Sequence, residues 1–147
     1  MLLSKEVAVY LNLASCKLKQ YTSNMLRRNK VGLTPEQFLL IDLLWNQGPM
    51  SQQKLADTMQ KDKNSITKIV DGLEKKGLIV RQRNEKDRRS NTLVLTPLAQ
   101  QMKTEAKEKG IFMLDRILDG ISEEELRTFL NTLGKMLQNM DNEYAAK

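Results

Sequence analysis

At 147 residues the chain is long enough for one domain with a sizeable core, and its apolar and charged fractions, 40% and 29%, are those of a folded protein rather than a disordered one. It has no histidine and one cysteine, Cys16, which excludes histidine-based acid–base catalysis, histidine-dependent zinc sites, an internal disulfide and a cysteine-cluster metal site. The net charge is +6, and it is uneven: residues 1–89 hold 17 Lys/Arg against 9 Asp/Glu, and residues 90–147 hold 7 against 9.

Residues 4–29 carry Val7, Leu11, Ala14, Leu18, Tyr21 and Met25 at three- and four-residue steps, which predicts an amphipathic helix. The N-terminal segment has no apolar run of signal-peptide type, and no run approaches the ~20 residues of a membrane span, so a cytoplasmic protein is expected. After a break at "VGL", "TPEQ" starts a second helix: Thr34 as cap, Pro35 in the first turn and Gln37 completing a capping box. That helix, "PEQFLLIDLLWNQG", is apolar on most sides and should be central; it stops at Gly48-Pro49. Ser51 caps a short helix, "QQKLADTM", and after a polar break Asp62 caps a longer one, "KNSITKIVDGLEKKG", closing at Gly77. Two alternating segments, "GLIVRQR" and "TLVL", then frame a charged loop from Arg83 to Arg89. Thr96-Pro97 opens a long helix to about Asp119, and Ser122 with Glu125 caps a last one with a wide apolar stripe from Leu126 to Met140.

This order gives a mainly α fold with a small β-hairpin: a winged helix-turn-helix over residues 34–96. In the helix after Asp62, the residues Ile66, Ile69, Val70 and Leu73 share one face. Asn64, Lys68, Asp71 and Lys75 centre the opposite one, with Ser65 and Thr67 flanking it. Short amides and hydroxyls beside a long cation suit the major groove, where Asn pairs with adenine and Lys reaches guanine or phosphate. The charged loop fits a hairpin tip that enters the adjacent minor groove, whose negative potential attracts arginine. Asp87 makes sense there if its carboxylate orients an arginine. Each feature alone also fits an ordinary solvated surface; their succession favours DNA. Gly72, in mid-helix, costs ~1 kcal/mol relative to Ala and calls for a reason such as a close backbone approach.

"DRRSNTLVLTPLAQ" resembles the D-x-R-x(5–6)-L-T-x-x-G signature of the MarR family of bacterial transcription regulators. "MSQQKLADTMQKDKNSITKIVDGLEKKGLIVRQRNEKDRRS" is similar to the helix-turn-helix and wing of that family throughout. The resemblance extends over essentially the whole chain; the central motif is fairly specific, the outer helices are not. It implies a sequence-specific DNA-binding regulator, a repressor in most relatives, on a pseudo-palindromic operator. It also implies a homodimer through the helices of residues 1–33 and 97–147. Asn64, Ser65, Thr67 and Lys68 fall at the recognition-helix positions, and Arg83, Lys86, Asp87, Arg88 and Arg89 in the wing, with Arg89 as the minor-groove arginine. One departure is Gln100, or Ala99 beside it, where the family often has Gly. Relatives respond to small lipophilic or phenolic effectors, for which Phe38 and Trp45 are candidate pocket residues, although core packing is the commoner role of such aromatics. Some sense peroxide through a cysteine in the first helix, but their position falls near Tyr10 and not at Cys16, which reads as a bystander thiol. No cofactor and no metal are expected. A helical dimeric scaffold or anti-regulator that binds a protein partner is the reading from another class. An enzyme is remote, with no phosphate loop and no nucleophile–base pair.

Overall fold

The computed structural model describes residues 2–108 and 114–146, with the side chains of residues 84 and 87–90 outside the described set. The elements run α1 (Leu3–Arg28), α2 (Pro35–Gln47), β1 (Met50–Ser51), α3 (Gln52–Thr58), α4 (Lys63–Lys75), β2 (Ile79–Asn84), β3 (Asp87–Leu95), α5 (Pro97–Glu108), a short 3-10 turn (Leu114–Leu118) and α6 (Glu123–Ala145). The chain divides into two compact units, residues 1–111 and 112–147.

In the first unit the caps form as their residue types dictate. Thr34 Oγ1 accepts from the Gln37 N–H at 3.1 Å, and the Gln37 side chain accepts from the Thr34 N–H at 3.2 Å. Ser51 accepts from the Lys54 N–H at 3.0 Å, and Asp62 from the Ser65 N–H at 2.9 Å. These bonds satisfy amides that have no intrahelical partner. The core is apolar and shared by α2, α3, α4 and the sheet: Leu40, Ile41, Leu55, Ile66, Val70, Leu73, Ile79 and Leu93 are all fully buried. Trp45 is buried too, donating its indole N–H to the Ala99 carbonyl at 3.1 Å, with Phe38 edge-on to its ring at 6.2 Å between centroids. Ala99, where the family signature has Gly, has no exposed surface, so the site demands a small residue and a methyl still fits.

The sheet has three antiparallel strands in the order β1-β3-β2, where two are expected from the alternation. The short β1, only Met50 and Ser51, pairs with Leu93 and Thr92; two residues are too few to show a period of two. The run from Arg83 to Arg89 is mostly strand and not loop. Arg83 faces Asn91 while Asn84 faces Asp87, so Arg88, Arg89 and Ser90 form an unpaired bulge, and only Glu85 and Lys86 make the tip. Of the long helix expected to Asp119, α5 covers Pro97–Glu108, whereas Leu114–Leu118 is a 3-10 turn; residues 109–113 lie outside the described residues.

Burial differs sharply between elements. Leu26 is the one buried residue of α1, and α6 has none, although both carry apolar stripes. Leu3, Tyr10 and Leu13 on α1 are exposed, as are Phe129, Leu130, Leu137 and Met140 on α6. Among the described residues, no helix is long and apolar enough to cross a membrane.

Candidate nucleic-acid interface

The helix α4 is oriented by what grips its two flanks. With about 100° of rotation per residue, Lys68 sits at the centre of the outward arc and Asn64 and Lys75 lie within about 40° of it. All three are exposed, and none makes a hydrogen bond or ion pair with another described residue. The Lys68 charge does help to hold the Asp62 carboxyl below its usual range, behind the larger effect of hydrogen bonds from Ser65.

One flank is tied to the wing. Arg81 of β2 pairs with Asp71 at 2.7 Å and with Glu74 at 3.1 Å, and its Nε donates to Gln52 Oε1 at 3.5 Å. Gln52 in turn donates to Thr67 Oγ1 at 3.1 Å, and Thr67 donates to the Lys63 carbonyl at 2.8 Å. This chain joins α3, α4 and β2, so the wing cannot swing freely from the helix. Asp71, a negative charge on the outer half of α4, is neutralised by it. Arg81 is the residue that sequence reasoning missed. The signal was there: alternation puts Arg81 on the face of the buried Ile79, and an inward-facing cation needs an anion, which Asp71 and Glu74 supply one helical turn apart.

The other flank is tied to α2 and to the turn before it. A Cβ at Gly72 would lie 2.7 Å from Gln37 Nε2, so glycine leaves room for the Gln37 side chain to lie against α4. Lys76 Nζ donates to Gln37 Oε1 and to the Gly32 carbonyl, both at 2.7 Å. Lys61, in the turn before α4, pairs with Glu36 at 2.7 Å. That turn requires Gln60 in the left-handed region, φ +54°, where the Lys61 N–H reaches the Ala56 carbonyl at 2.9 Å and closes α3.

The structure thus separates the four predicted recognition residues. Asn64 and Lys68 stand outward and unengaged. Ser65 serves the cap of Asp62, and Thr67 is half-buried with its hydroxyl both donating and accepting. In the wing, Arg83 and Lys86 are exposed near the tip. The side chains of Asp87, Arg88 and Arg89 lie outside the described residues, and with them the expected orientation of an arginine by Asp87. Trp45 is packed and hydrogen-bonded, and Phe38 beside it is half-buried. Nearby, burial raises the Asp42 carboxyl above its usual range, opposed in part by the Lys103 charge and the Asn46 side chain. Cys16 is exposed on α1.

A helix with an outward polar arc, a helix before it across a tight turn, and a hairpin locked to its flank define a winged helix-turn-helix. Residues 33–91 match the model of the MarR family. The chain is 34% identical over 116 residues to a putative transcriptional regulatory protein for the hcr operon of Thauera aromatica, spanning 78% of this chain and 69% of that protein. It is 25% identical over 141 residues to the HTH-type transcriptional regulator MgrA of Staphylococcus aureus, spanning 95% and 92%. A structure of reduced AbfR bound to DNA superposes with a TM-score of 0.75 at 22% identity, over 94% of this chain and 95% of that one; AbfR is a protein of Staphylococcus epidermidis. The chain belongs to the MarR family, and it is a DNA-binding transcriptional regulator of that type, not an enzyme.

Proposed function

We propose that the protein is a repressor that binds a pseudo-palindromic operator as a homodimer. Asn64 and Lys68 of α4 enter the major groove, and the wing residues Arg83, Lys86, Arg88 and Arg89 reach the adjacent minor groove. The observation that carries this reading is the outward arc of α4: one amide and two cations left unengaged, while Ser65, Thr67, Asp71 and Glu74 on the same helix are tied down. Arg81 supports it by masking Asp71, which would otherwise repel phosphate. Residues 34–96 form the DNA-binding lobe.

The helices of residues 1–33 and 97–147 make the dimer. Supporting this are the apolar side chains of α1 and α6, which the described residues leave largely uncovered; a second copy would bury them, at about 25 cal/mol for each Å² of apolar surface removed from water. Two-fold symmetry then demands half-sites about 10 base pairs apart, or a multiple of that. A lipophilic or phenolic effector that releases the operator is expected from the family; Phe38 has surface to offer it, whereas Trp45 is already packed against α5.

Selection of binding sites from random duplex DNA by the purified protein, at low and at physiological salt, tests the reading. A palindromic sequence enriched at the higher salt is the expected result. Enrichment of nothing, with binding that vanishes as salt rises, would refute it and favour the protein-binding scaffold. Arg89→Ala should weaken binding and reduce the salt dependence by about one phosphate equivalent per protomer. An unchanged slope would remove Arg89 from the interface.

A further inference from the structure

A second concentration of positive charge lies on the flank of α4 away from the wing. From Val7 to Pro35 the sequence has no Asp or Glu, and α1 ends in Arg27 and Arg28, followed by Lys30 in the turn. All three are exposed. Among the described residues none is in an ion pair, and Arg27 donates only to the neutral Asn24 amide, at 2.7 Å. Lys76, which pins this turn to the end of α4, bonds two neutral oxygens, so its charge also stays uncompensated. Two carboxylates on the neighbouring helices are already engaged, Glu36 of α2 by Lys61 and Glu74 of α4 by Arg81.

Lys30 adds a separate observation. It closes α1 with φ +52°, a conformation that favours glycine, while the Val31 N–H reaches back to the Leu26 carbonyl at 3.0 Å. A lysine in a glycine position is a local strain in the middle of an unpaired cationic cluster, and strain of that kind gathers where a side chain is used.

We propose that Arg27, Arg28, Lys30 and Lys76 form a cationic shelf that holds DNA phosphates along the wall of the major groove away from the wing. The inference rests on the DNA-binding reading above. A helix about 10–12 Å across fills a groove about 12 Å wide and therefore meets a phosphate wall on each flank. The wing occupies one flank of α4. The turn joining α1 to α2 occupies the other, held there by Lys76 and by the Gln37–Gly72 contact. Such contacts carry no base information. They set affinity and its salt dependence.

Two variants test this on the full-length protein, the triple substitution Arg27→Gln, Arg28→Gln, Lys30→Gln and the single Lys30→Gly. The probes are an operator duplex selected by the wild type and a mixed-sequence duplex, with affinity followed against salt concentration. The triple variant should flatten the logarithmic salt slope by about 2 to 3 per protomer on both duplexes, with base preference unchanged. Lys30→Gly should melt at a higher temperature, because its turn strain is relieved, and yet bind more weakly with a slope reduced by about 0.9 per protomer. A purely structural Lys30 would not separate stability from affinity in this way. Wild-type slopes in both variants, or altered base preference, would overturn the shelf while leaving the operator reading intact. A wild-type protein that selects no operator would overturn both.

Discussion

Replacing Gly72 by alanine sets two effects of similar size against each other. In the middle of α4 the exchange should gain about 1 kcal/mol of helix propensity. The new methyl would stand 2.7 Å from Gln37 Nε2, closer than atoms pack, so the Gln37 side chain must swing away. That swing removes the bond from the Thr34 N–H, at 3.2 Å, and the one from Lys76, at 2.7 Å. Each is partly solvated, and together they contribute on the order of 1–2 kcal/mol. Gly72→Ala should therefore be neutral to about 1 kcal/mol destabilising in the wild type. In a Gln37→Ala background the clash and the bonds are both gone, and the same exchange should stabilise by the full ~1 kcal/mol. Urea unfolding of the four proteins at one protein concentration gives a coupling energy of about 1–2 kcal/mol. Additive effects, within about 0.5 kcal/mol, would show that Gly72 does not make room for Gln37 and that the α2–α4 approach has another cause.

Arg81→Met should cost about 1 kcal/mol of stability, since both ion pairs are half-exposed, but it should weaken operator binding at least tenfold by freeing the wing and baring Asp71. Adding Asp71→Asn should recover part of the affinity; no loss in the single variant, by fluorescence anisotropy, would contradict the wing lock. Burial raises the folded-state pKa of Asp42, so wild-type stability falls as pH rises through that value. Asp42→Asn should then be more stable than wild type at about pH 7, with the gain closing toward about pH 4, where the unfolded carboxyl also protonates; a pH-independent difference by urea unfolding would contradict this. Gln60→Gly should stabilise by roughly 0.5 kcal/mol, left-handed relief less the lost bond from Gln60 Nε2 to the Asp57 carbonyl, and a lower melting temperature would refute it.

The helices were legible because their signals are local. Thr34, Ser51, Asp62 and Ser122 all cap where the sequence places them, and the 66–69–70–73 stripe is the buried face of α4. What was not legible depends on residues far apart in the chain. Arg81 and Asp71 become partners only once the hairpin folds back on α4, and Gln52 reaches Thr67 only across the helix-turn-helix. Ser65 and Thr67 carry the right groups for DNA, but periodicity cannot tell a hydroxyl that faces a groove from one that serves a cap or bridges two helices. The charged run Arg83–Arg89 looked like a loop because charge masks strand alternation; pairing with β2 and the bulge at residues 88–90 decide its form. Gly72 signalled a close approach, and the contact with Gln37 supplies its object.

The central claim is that the outward arc of α4 reads bases. Repeating the site selection with Asn64→Ala beside the wild type tests it most directly. Preference should relax at one base pair in each half-site while the rest of the palindrome persists, an effect of about 1–3 kcal/mol at that position. Identical selected sequences from the two proteins would contradict it and move the reading of sequence away from this face of α4.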